Sequence, residues 1–121
     1  MEIHSQEDLD AALKIVSSSI TKCEKMQTKF AEGTSQHSLL KNRINALYIS
    51  KSLLSNDSNI GKYTQADLEH ALPPVLSIIN KTEKAQSKYD SDNAQYKRFM
   101  PLIKAMHISK SLIETEILQR K

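Results

Sequence analysis

A chain of 121 residues, 39% hydrophobic and 26% charged, has the composition of a globular domain with a modest core, which excludes a wholly disordered chain. A net charge of +3 supports weak attraction to anionic surfaces and argues against a dedicated nucleic-acid binder, which needs a denser basic patch. One cysteine, Cys23, an acidic opening segment and no run of about 20 apolar residues together predict a cytoplasmic protein without a transmembrane segment.

Apolar residues recur with helical spacing and almost no strict alternation, which predicts an all-α fold. In the first helix Leu9, Leu13, Val16, Ile20, Cys23, Gln27 and Phe30 form a heptad seam, and Ser5 with Asp8 supplies a capping signal at its start. Cys23 on this seam reads as a buried, inert thiol. A turn at Glu32-Gly33-Thr34, with Gly33-x-x-Gln36 as the next capping signal, then predicts an antiparallel second helix. There Leu40, Ile44, Ala46, Leu47, Ile49, Ser50, Leu53 and Leu54 sweep roughly 220° of arc, wider than a surface helix needs. The polar segment 55–63 reads as a loop.

After that loop the chain repeats itself. Residues 64–113 align without a gap on residues 5–54, with 21 of the 50 positions identical. Thr64-x-x-Asp67 restates the first cap, and Leu68, Leu72, Val75, Ile79, Thr82, Gln86 and Tyr89 restate the seam. Asp90-Ser91-Asp92 is the matching turn, with Asp92-x-x-Gln95 as a capping box, and Phe99 through Ile113 form the second wide arc, the helix continuing to about 118. The expected architecture is an antiparallel four-helix bundle of two repeated helical hairpins with pseudo-two-fold symmetry, residues 1–121 forming a single domain. Ala46/Ser50 and Ala105/Ser109 are spaced to let helices 2 and 4 approach closely. Pro73-Pro74 and Pro101 replace Lys14-Ile15 and Asn42 of the first repeat, which predicts a kink or restart near Leu72 and a bend near Met100.

No catalytic constellation stands out, and the sequence calls for no cofactor and no metal. Asp67-x-x-His70 resembles half of a carboxylate-bundle metal step, but the first repeat offers Asp8-x-x-Ala11, and an acidic first turn serves the helix dipole. Lys22, Lys25 and Lys29, echoed by Lys81, Lys84 and Lys88, form solvent-facing stripes as candidate anion-binding residues. On diagonal helices the stripes would face opposite sides, and a merely solvated face is the plainer reading. Gln27 and Gln86 on the seams call for partners at the hairpin turn or in each other. Tyr48, Lys51 and Ser52, with His107, Lys110 and Ser111, are the candidate partner-binding residues.

The leading functional expectation is a non-enzymatic helical module for protein–protein interaction or regulation, docking another protein or a second copy through the wide apolar arcs. One alternative is peripheral contact with a membrane surface. Small basic four-helix bundles resemble bacteriocin immunity proteins in size, charge and helix count, which is a likeness of fold alone. A nucleic-acid or other anionic partner on the lysine stripes is the third reading.

Overall fold

The computed structural model describes residues 4–121. Four helices, α1 (Gln6–Gln27), α2 (Ser35–Ser55), α3 (Gln65–Gln86) and α4 (Ala94–Gln119), pack as a four-helix bundle, with a short 3₁₀ helix (Ser58–Lys62) within the α2–α3 connection. α1 and α3 begin at the caps that the hydroxyls and acids around them signal. Ser5 Oγ accepts the Asp8 N–H at 3.1 Å. Thr64 Oγ1 accepts the Asp67 N–H at 3.0 Å while Asp67 Oδ2 accepts the Thr64 N–H at 2.9 Å, a complete capping box. Thr34 opens α2, accepting the His37 N–H at 3.2 Å. Asn93 opens α4, accepting the Gln95 N–H at 2.7 Å.

The caps of α2 and α4 thus lie one residue later than Gly33 and Asp92, where the sequence signals put them. Gly33 has a different task. Its φ of 87° reverses the chain before Thr34, a conformation that other residues adopt only with strain. The segment after α2 is not an open loop. Asn56 leaves the helix in the left-handed region, and Asp57 caps the 3₁₀ helix, whose Ile60 leans on the core together with Tyr63. Arg120, at the end of α4, donates to the Ile60 carbonyl at 2.8 Å and to that of Tyr63, which ties the last turn to the connection.

Of the kink or restart expected at the prolines, the restart does not occur. α3 runs uninterrupted through Pro73 and Pro74, and α4 through Pro101. Each proline removes the N–H that would bond the carbonyl four residues back, namely those of Glu69, His70 and Lys97. All three residues are exposed, where water can take the place of that donor, and Leu68, Ala71 and Val75 hold the affected stretch of α3 in the core.

The core joins both hairpins. Val16, Leu47, Leu68, Met106 and Ile113 are each inaccessible to solvent, and Val75 joins them. α2 and α4 approach across the bundle to within 8 Å between Cα atoms, whereas α1 and α3 do not. Small residues permit that approach: Ala46 and Ala105 are 1% exposed, and Ser50 and Ser109 are fully buried. Each serine hydroxyl is satisfied inside its own helix, Ser50 on the Ala46 carbonyl at 2.9 Å and Ser109 on that of Ala105 at 2.8 Å. The wide arcs of α2 and α4 are thereby largely spent within the molecule and do not form a docking face.

Candidate functional site

The buried members of the shared core come from residues 12–20, 46–54, 68–79 and 105–117. The hairpin ends, residues 22–43 and 81–102, hold none of these members, although Cys23 and Leu102 pack against the cluster and Leu40, Thr82 and Gln86 are buried locally; these ends are the two tips. Similar local bonds build both. Thr28 and Ser87 close α1 and α3 by donating to the carbonyls of Lys25 and Lys84 at 2.7 and 2.6 Å. Gln86, 8% exposed, donates across its hairpin to the Tyr96 carbonyl at 3.1 Å; Gln27 makes the corresponding bond to His37 at a long 3.5 Å. Of the two roles open to these glutamines, pinning the hairpin is the one they perform.

Charge is unevenly shared between tips and body. Residues 22–43 hold five lysines and arginines against two acids, residues 81–102 hold five against three, and the rest of the chain holds seven against nine. Lys22, Lys25, Lys29, Lys81, Lys84 and Lys88 are all exposed, as are Lys41, Lys97 and Arg98. The acid in each stripe segment turns away from the lysines. Glu24 accepts the Tyr48 hydroxyl at 3.1 Å, and Glu83 lies 3.9 Å from His107 Nε2, the matching position of the second repeat. The hydrogen bond to Glu24 raises the Tyr48 pKa.

The tips also carry apolar side chains in water. Met26 (49% exposed), Phe30 (36%), Leu39 (50%), Tyr89 (40%) and Met100 (50%) lie within them, against only Tyr48, Leu76 and Leu118 elsewhere among the described residues. Phe30 and Tyr89, the last members of the apolar seams, are thus exposed and not buried, and this coincidence with the lysines is not evident from the stripes. Its signal was present in the seams, which turn polar at Gln27 and Gln86 before Phe30 and Tyr89 are reached.

The six candidate partner-binding residues make their contacts chiefly within their own hairpins. Tyr48 and His107 address Glu24 and Glu83, Lys110 lies 3.3 Å from Glu114, and Ser111 Oγ lies 3.5 Å from His4 at the start of α1. Lys51 is exposed, but Ser52 is buried at 6% and presents no hydroxyl to a partner. Their likeness in sequence does not make them one surface.

Two open grooves occupy matching places in the repeats. One, of about 300 Å³, lies between α1 and α4 and includes Ala11, Ile15 and Pro101. Lys104 and Asp8 flank it and pair at 2.9 Å, and this hydrogen bond holds the Asp8 carboxyl below the ordinary aspartate range. The other, of about 420 Å³, lies between α2 and α3 and includes Asn42, Asn45, Tyr63 and His70. Asp67, matching Asp8, is engaged there by its capping box. Burial pushes the Cys23 thiol up, away from thiolate chemistry. Among the described residues, no three His, Cys, Asp or Glu side chains converge as a metal site requires, and no helix is long and apolar enough to cross a membrane.

No family model, curated protein or solved structure matches the chain. A functional reading rests on the two tips, where position outside the core, positive charge and exposed apolar surface coincide.

Proposed function

We propose that the protein is a non-enzymatic interaction module that docks an anionic partner through its two hairpin tips. The observation that carries this reading is the coincidence, at matching places in both repeats, of exposed lysines with exposed apolar side chains beyond the shared core. An approximate two-fold relation between the hairpins belongs to the same proposal. It is supported by helix starts displaced by a constant 59 residues and by the matched burial of Val16 with Val75, Leu47 with Met106, and Ser50 with Ser109.

Heparin, used as a polyanion probe at low salt, tests the reading. Wild-type protein binds, and replacing Lys25, Lys29, Lys84 and Lys88 by Gln lowers the affinity at least about tenfold, with a shallower salt dependence, because each lysine near a charged surface contributes about 1 kcal/mol. A control with Lys14, Lys51, Lys62 and Lys121 replaced by Gln has the same net charge and keeps most of the affinity. Equal losses in the two variants would reduce the tips to bulk charge and refute the proposal.

A further inference from the structure

Resting on that reading, we infer that the anionic partner is a lipid surface and that tip 1 inserts its apolar side chains between the headgroups. The face of α1 near its end decides this. At about 100° per residue, Lys22, Lys25 and Met26 fall within one arc of roughly 100° on α1, and Lys29 and Phe30 follow in the turn after the helix, their N–H groups donating to the carbonyls of Met26 and Gln27. Glu24 lies on the opposite side, bound by Tyr48. The arc is therefore a basic stripe with an exposed methionine inside it and an exposed phenylalanine at its end. α3 repeats the stripe with Lys81, Lys84 and Lys88, ending in exposed Tyr89 and carrying Ala85 in place of Met26.

Anionic bilayers bind this combination. Lysine stems lie along the interface while the ammonium groups reach phosphates, and methionine and aromatic side chains enter the acyl boundary below. Eight of the ten basic residues in the tips are lysines, the more strongly hydrated cation, suited to a headgroup layer. A single-stranded nucleic acid fits the same face less well. Stacking needs flat rings in series, whereas this face of tip 1 offers Phe30 alone, and Tyr89 of tip 2 already lies against Phe99 with ring centroids 6.3 Å apart. The acid of the tip 1 turn, Glu32, lies beyond the helical stripe, so contact is made by the flank of that tip and not by its apex. The stripe of tip 2 belongs to α3, diagonal to α1, and lies on the other side of the bundle.

Sedimentation with vesicles tests the inference on the intact protein. Vesicles of about three parts phosphatidylcholine to one of phosphatidylserine carry the protein down at low salt, and phosphatidylcholine vesicles do not. Replacing Met26 and Phe30 by Ser lowers the vesicle affinity at least about tenfold and leaves heparin binding within about twofold, whereas Tyr89→Ser has the smaller effect on vesicles. Both sites are exposed, and an unchanged circular dichroism melt verifies that the variants fold. Heparin binding without vesicle binding overturns the lipid inference and leaves the docking reading standing. Loss of both in the wild type overturns both. Vesicle binding unaffected by the Met26 and Phe30 replacements, or tighter binding to single-stranded RNA than to the anionic vesicles at equal salt, also overturns the inference.

Discussion

Ser50 and Ser109 show how a polar residue can serve a core. Each is fully buried, and each returns its hydroxyl to the carbonyl four residues back, so that no polar group is left unmet and the side chain acts as a small volume between α2 and α4. Size is then what the position selects. Ser50→Ala should change stability by no more than about 1 kcal/mol, since the Ala46 carbonyl keeps its helical bond. Ser50→Leu should cost about 2 kcal/mol or more, because added methylenes must force the two helices apart. Urea denaturation of the two variants measures the contrast, and equal effects would show that closeness at this site is unimportant. The spacing of alanine and serine in both repeats made this contact legible in the sequence. The burial of Ser52, two residues further on, was not legible, because an angle near the edge of the apolar arc reports nothing about which neighbour covers it.

The helices illustrate both the strength and the reach of local signals. Ser5, Thr64 and their acids mark starts because their oxygens can meet N–H groups that the first turn leaves unpaired, and these caps form as the sequence suggests. Thr34 and Asn93 displace Gly33 and Asp92 by one residue, since several turn residues there can accept such a bond and the path of the hairpin selects among them. The prolines mark the limit of local reasoning. Two missing donors in α3 argue for a kink or restart and one in α4 for a bend; both helices continue without a break, as tertiary contacts on one face outweigh lost bonds on the exposed one. The replacement Pro73→Ala should therefore stabilise the protein by about 1–3 kcal/mol, by restoring a bond to the Glu69 carbonyl without disturbing the core. Thermal melting checks it. A lower midpoint would mean that proline is required at that turn.

At the scale of the whole molecule, the two hairpins are interdependent. Val16 and Leu47 come from one, and Leu68, Val75, Met106 and Ile113 from the other, and all lose their contact with water in a single cluster. A fragment of residues 5–56 alone should lack a cooperative melt, and adding residues 64–121 should restore it, because neither hairpin covers its own apolar side. Circular dichroism of the separate and mixed fragments is the measurement, and an independently cooperative fragment would contradict it. The tips are the converse case, since their lysines are exposed where the buried cluster stops. The sequence by itself determined the number of helices, their order, the caps of α1 and α3 and the seam positions short of Phe30 and Tyr89, since hydrophobic period, cap chemistry and duplication are local properties that survive without coordinates. It also displayed the lysine stripes. Only the tertiary structure decided that the wide arcs of α2 and α4 are consumed against each other, that the prolines are absorbed, and that lysines and exposed apolar side chains meet on tips outside the core. Exposure is a relation between distant segments, fixed by which surfaces the packed helices bury.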